Sequence, residues 1–133
     1  MILLAGCSDP EGYNKPEDGL DAAREFVRAV LDGDFTKAEM YVLEEEEDRQ
    51  LFNRYREYMK KQPQSERLGL KSATILINKV ESPNDSVTIV TYSNSYHKKP
   101  TALQVVRKNE DWKVDFSYTF SKDEGSVETM IGQ

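Results

Sequence analysis

The chain has 133 residues, with 18 basic and 24 acidic side chains, a net charge of −6 and a pI near 4.9. That balance argues against nucleic acid or another polyanion as partner, because such partners need clustered Lys and Arg. A single cysteine excludes an internal disulfide, and a single histidine leaves too few ligands for a zinc site, so no metal and no cofactor is assigned. Nothing after residue 7 approaches the apolar length needed to cross a bilayer.

In chain order, the first feature is Leu3-Leu4-Ala5-Gly6-Cys7-Ser8, which resembles the lipobox of bacterial lipoproteins. There, small residues precede a cysteine that is lipidated and becomes the mature N-terminus. The resemblance implies that residues 1–7 are the remnant of a lipoprotein signal. Only Met1 to Leu4 precede the small residues, so the start of the precursor is read as truncated. It also implies a membrane partner, held through acyl chains on Cys7, where each buried methylene contributes about 0.8 kcal/mol. The implied location is the bacterial cell envelope, at the outer membrane or a periplasm-facing membrane surface. Residues 8–18, SDPEGYNKPED, are rich in Pro, Gly and acids with Tyr13 as the sizeable apolar side chain. They read as a flexible tether.

Residues 19–120 read as one domain with one core. Leu20, Ala23, Phe26, Val27, Val30 and Leu31 recur at three- and four-residue steps, predicting a helix capped by Asp18 or Asp21 and ended by Gly33. A shorter helix follows from Asp34, with Phe35, Ala38, Tyr41 and Val42 inward. A third helix starts in the acidic run Glu44 to Asp48 and ends near Lys60, Lys61 and Pro63, a charge order that suits the helix dipole. Leu51, Phe52, Tyr55, Tyr58 and Met59 form its apolar stripe, and Glu45–Arg49 and Glu57–Lys61 are spaced as i,i+4 pairs.

After Gly69 the pattern becomes extended. Thr74 to Val80 predicts a strand, Ser82-Pro83-Asn84-Asp85 a turn, and Val87 to Tyr96 the return strand of a hairpin. Lys98-Lys99-Pro100 breaks the run. Thr101 to Lys108 predicts a third strand, Asn109-Glu110-Asp111 a tight connection, and Trp112 to Tyr118 a fourth strand with Trp112, Val114, Phe116 and Tyr118 on one face. Residues 121–133 form a polar C-terminal tail in which Val127, Met130 and Ile131 keep a weak helical spacing. The expected class is α+β, with helices on one face of an antiparallel sheet of about four strands.

Two stretches carry a resemblance to a known fold. Ala22 to Ala38, with its Gly33-Asp34 junction between helices, looks like the opening of nuclear transport factor 2-like (cystatin-like) domains. Val105 to Phe116, with its polar turn into Trp112-Lys113-Val114, looks like their closing hairpin. With the lipobox, the chain is most similar to the small lipoproteins of domain of unknown function 4878. The resemblance covers roughly residues 20–118, and it implies a curved sheet wrapped into a cone around the helices. Enzymes of that fold place acids, histidines and tyrosines inside the cone, whereas other members only bind.

Few such residues stand here. His97 lies beside Lys98-Lys99-Pro100 and reads as a surface histidine, with no carboxylate partner placed near it. Alternation puts Asp115 opposite Trp112, Val114 and Phe116, so it reads as solvated or paired across strands. The run Glu44 to Asp48 lacks the glycine and ligand spacing of a calcium loop and reads as a solvated helix start. The candidate pocket is lined by Phe26, Tyr55, Tyr58, Tyr92, Trp112 and Phe116. Both faces of the second and third strands are partly apolar, so a homodimer or partner contact is expected through the outer sheet face. The function expected is an envelope lipoprotein whose non-catalytic domain binds an unknown small molecule or envelope protein. The alternative is a small isomerase, dehydratase or hydrolase acting on an apolar compound in the cone pocket.

Overall fold

Asp18 opens the ordered helices by accepting the Asp21 N–H with its own carboxylate, a capping bond that satisfies one of the free donors of the first turn. The computed structural model describes residues 12–120. The elements are α1 (Gly19–Asp32), α2 (Phe35–Glu39), α3 (Glu46–Lys60), α4 (Gln64–Lys71), β1 (Ile75–Asn84), β2 (Val87–Asn94), β3 (Thr101–Lys108), β4 (Asp111–Asp115) and α5 (Phe116–Phe120). Gly33 ends α1 at φ 78, a left-handed conformation that costs glycine no Cβ clash, and Asp34 then caps α2 through the Lys37 N–H.

The strands form one open antiparallel sheet in the order β1-β2-β3-β4. Thr88, Val90 and Tyr92 of β2 face the helices with Leu103 and Val105 of β3 and Val114 of β4. The opposite face mixes Leu76, Ile89, Ala102 and Val106 with Lys79, Glu81, Gln104 and Lys113. Gly19 lies directly on Thr88, so the start of α1 meets β2 without an intervening side chain. The architecture is α+β, with helices on one face of a four-stranded antiparallel sheet.

The centre is aromatic. Phe26 of α1, Phe52 and Tyr55 of α3 and Phe116 at the start of α5 are all at most 1% exposed. Their ring centroids lie 5.5–6.5 Å apart, in tilted and edge-to-face arrangements. Leu51, Tyr58 and Trp112 pack at the margin of this cluster and are only half-buried.

Several expectations are corrected. Gly12 to Asp18, read as tether, is docked: the Tyr41 hydroxyl donates to the Asn14 carbonyl and accepts its N–H, Tyr13 lies 5.0 Å from the Tyr41 ring, and Pro16 is buried. Residues 8–11, Cys7 and residues 121–133 lie outside the described residues. α4 occupies a segment for which no helix was expected. β1 continues through Ser82-Pro83, and the turn is Asp85-Ser86 alone, because β1 is an edge strand on which proline leaves no ladder bond unmade. β4 stops at Asp115, and α5 takes the place beside the first residues of β3, where Thr119 donates to the Ala102 carbonyl. The expected pairs Glu45–Arg49 and Glu57–Lys61 are replaced by Glu45–Lys108, Glu39–Arg49 and Glu57–Lys60.

Candidate functional site

Where α1, α3, α4 and the far end of β2 meet, the side chains leave a narrow chamber of about 20 Å³. Val27, Val30 and Leu31 come from α1, Tyr55 and Met59 from α3, Leu70 from α4, and Tyr92 and Asn94 from β2. His97, Lys99 and Thr101 close its polar end. The volume admits about one water. Burial raises the Tyr55 phenol well above its ordinary value, with Tyr92 adding, and burial alone raises Tyr92. Both phenols therefore stay protonated and serve as hydrogen-bond groups rather than bases.

The polar end is held by an Asx-type turn, in which the Asn94 side-chain oxygen accepts the N–H groups of Tyr96 and His97 at 2.9 and 2.8 Å. That turn presents the His97 ring to α4, where Nε2 lies 2.7 Å from Glu66 Oε2, and the Tyr96 hydroxyl donates to Glu66 Oε1 at 3.4 Å. His97 thus has the carboxylate partner that the sequence did not place, which corrects its reading as an isolated surface histidine. Glu66 was missed with α4. The signal existed, since Pro63 immediately before the helix and an acid in its first turn are marks of a helix start.

Behind Val30, Leu31, Met59 and Leu70, which line the chamber too, a groove of about 250 Å³ runs between the end of α1 and α4. Phe35 adds to its apolar lining, Leu68 stands 55% exposed, and Gln64, Arg67 and Lys71 supply polar groups. Its carboxylate, Asp32, is bound by Arg28 at 3.0 Å, and Arg28 also donates to the carbonyls of Lys71 and Ala73. A second groove, of about 270 Å³, lies between α2 and α3, lined by Glu39, Met40, Glu44, Arg49 and Phe52. Its one lining arginine is already taken, for Glu39 pairs with Arg49 at 3.8 Å and with Arg56, outside the groove, at 3.2 Å.

A third polar cluster ties α3 to the end of the sheet. Asp48, 2% exposed, accepts the Ser117 N–H at 2.7 Å, while Asp115 accepts the Ser117 hydroxyl at 2.8 Å and the Gln104 amide at 3.0 Å. Burial pushes the Asp48 carboxyl up to about 6, and the adjacent Asp115 adds to the rise. Asp48 is thereby corrected from solvated helix start to buried member of the α3 stripe. Its spacing to Phe52, Tyr55 and Met59 was the available signal. Asp115 is paired across strands to Gln104, one of the two readings offered for it.

The six expected pocket residues divide. Tyr55 and Tyr92 line the chamber, whereas Phe26 and Phe116 are consumed in the aromatic core together with one edge of Tyr55. Tyr58 is half-buried on α3, and Trp112 lies under the Arg107 guanidinium at 6.0 Å; neither reaches the chamber. Among the described residues no group of three or more His, Cys, Asp or Glu is placed to hold a metal, and no helix is long and apolar enough to cross a membrane. Comparison with known proteins gives no match: no family model fits the chain, and no curated protein or solved structure matches it.

Proposed function

We propose that this chain is a bacterial envelope lipoprotein anchored through Cys7, and that its domain is a non-catalytic binding module of the nuclear transport factor 2-like type. The observation that carries the binding-module reading is the filled interior. Phe26, Phe52, Tyr55 and Phe116 occupy the space between helices and sheet, and the remaining chamber of about 20 Å³ is too small for a substrate. The cone-like fold is supported by the Gly33-Asp34 junction, by the order of helices followed by a meander, and by the Val105 to Phe116 hairpin. The anchor is supported by Leu3 to Cys7.

Intact mass of the membrane-extracted protein tests the anchor. The expected result is loss of the residues before Cys7 with a lipid-sized mass increase, and a native chain that is unmodified and freely dispersed overturns it.

The alternative, a small isomerase, dehydratase or hydrolase, is favoured by one geometry: His97, bound to Glu66 at 2.7 Å, lines the same chamber as Tyr55 and Tyr92. Turnover of an apolar carbonyl compound or ester that is lost in His97→Gln, with folding intact, establishes that reading instead.

A further inference from the structure

We infer that the groove between α1 and α4 takes a small amphipathic anion, about eight to ten non-hydrogen atoms in all, with an apolar body ending in a carboxylate or similar monoanionic group. The inference deepens the binding-module reading and rests on it.

Size comes first. A volume of about 250 Å³ is just below the usual range of ligand pockets. At the ~30 Å³ that one water occupies, it holds about eight such groups. Chemistry comes from the lining. Val30, Leu31, Phe35, Met59 and Leu70 offer an apolar floor, and Leu68 at the rim stays 55% exposed, a surface that gains by being covered.

Charge decides the occupant. Arg67 and Lys71 stand four residues apart on one face of α4, both exposed, and neither is in an ion pair among the described residues. Arg67 Nε donates to the Gln62 carbonyl at 3.1 Å, which fixes the guanidinium at the α3–α4 connection while leaving its terminal nitrogens for an acceptor. Asp32, the carboxylate of this groove, is already taken by Arg28. In a chain of net charge −6, the groove therefore presents two uncommitted cations over an apolar floor. The α2–α3 groove, of similar size, is lined by one arginine, Arg49, paired with Glu39, and by a second carboxylate, Glu44, so it offers no comparable demand for an anion.

The test titrates isotope-labelled full-length chain with octanoate, octanol and octylammonium, followed by amide shifts. Octanoate is expected to move the amides of Asp32 to Phe35 and Gln64 to Lys71 with a Kd below about 1 mM, within reach for so few atoms. Octanol is expected to bind at least tenfold more weakly and octylammonium more weakly still. Each exposed ion pair contributes up to about fivefold, so the double reversal Arg67→Glu and Lys71→Glu is expected to weaken octanoate at least tenfold. The reversal Lys60→Glu and Lys61→Glu, outside the groove, is expected to leave it unchanged. Equal binding of octanoate and octanol, shifts centred elsewhere, or no effect of the Arg67 and Lys71 reversals overturns the inference. A lipid-modified Cys7 with no octanoate binding overturns this inference alone and leaves the anchor standing. Octanoate bound by a native chain with unmodified Cys7 supports it while removing the anchor.

Discussion

Asp48 and Asp115 hold Ser117 between them, one by its backbone N–H and the other by its hydroxyl, and so lock α3 to the junction of β4 and α5. Two carboxyls this close cannot both ionise freely in a buried setting. The Asp48 pKa is raised from 3.8 to about 6 in the folded chain, so the native state binds more protons than the unfolded one between those values. Stability from this site is therefore greatest below about pH 4, falls as pH rises towards 6, and is flat above. The loss amounts to no more than about 3 kcal/mol.

Asp48→Asn isolates the effect, because the amide oxygen still accepts the Ser117 N–H and the amide NH₂ can face Asp115. At pH 8 the variant is expected to match or exceed the parent, by up to about 3 kcal/mol. Near pH 4 the two are expected to converge. Urea midpoints at both pH values check this, and a parent-to-variant difference that does not change with pH contradicts it. Asp48→Ala, which also loses the bond to Ser117, is expected to cost about 1–2 kcal/mol relative to Asp48→Asn.

Phe116 and Trp112 appear on the same strand pattern but carry different energies. Phe116 is fully buried among Phe26, Phe52 and Tyr55, so Phe116→Ala is expected to cost about 3–5 kcal/mol. Trp112 is half-buried beneath Arg107, and Trp112→Ala is expected to cost clearly less. Chemical denaturation of the two variants decides, and equal losses would refute the marginal placement of the indole.

The β3–β4 turn places Asn109 at φ 53 and Glu110 at φ 66. Two consecutive left-handed residues are the mark of a hairpin turn that asks for Asn-Gly, and glutamate is the poorer fit. Glu110→Gly is expected to raise stability by about 0.5–1 kcal/mol, because glycine meets no steric penalty there. A lowered thermal midpoint would show that the side chain of Glu110 outweighs its backbone strain.

Gly19 and Gly69 both admit a close neighbour, and the neighbours differ in freedom. A Cβ on Gly19 meets the Cβ and hydroxyl of Thr88, atoms rooted in β2, so Gly19→Ala is expected to cost about 1–3 kcal/mol. A Cβ on Gly69 meets only the far edge of the Tyr96 ring, which is 44% exposed and can swing aside. Helix propensity then favours alanine by about 1 kcal/mol and offsets the lost ring contact. Gly69→Ala is expected to be near neutral in stability yet to break the Tyr96–Glu66 bond, visible as a shift of the Tyr96 and His97 ring signals. Unmoved ring signals would be inconsistent with the close approach.

Much of this architecture is legible in the amino acids. Asp18, Gly33 and Asp34 bracket the first helices because capping is local chemistry, and the alternation in Thr101 to Lys108 marks β3 to the residue. Where reading along the chain fails, a distant partner decides. Gln64 to Lys71 is short and interrupted by Gly69, whose purpose is contact with Tyr96 on another element. Phe116 to Phe120 alternates like a strand but folds as a helix, its first turn held by the bond from the Ser117 N–H to Asp48 on α3. The chamber was legible in part, through Tyr55 and Tyr92, whereas the Glu66–His97 pair escaped, because the two residues share no local spacing and only the packing of α4 brings them together.

Tyr41 grips both backbone groups of Asn14, and burial pushes its phenol above its ordinary pKa, so the hydroxyl that makes the clasp keeps its proton at neutral pH. With Tyr13 against the same ring and Pro16 buried, the segment from Tyr13 to Pro16 is moored to the turn after α2 before the chain enters α1.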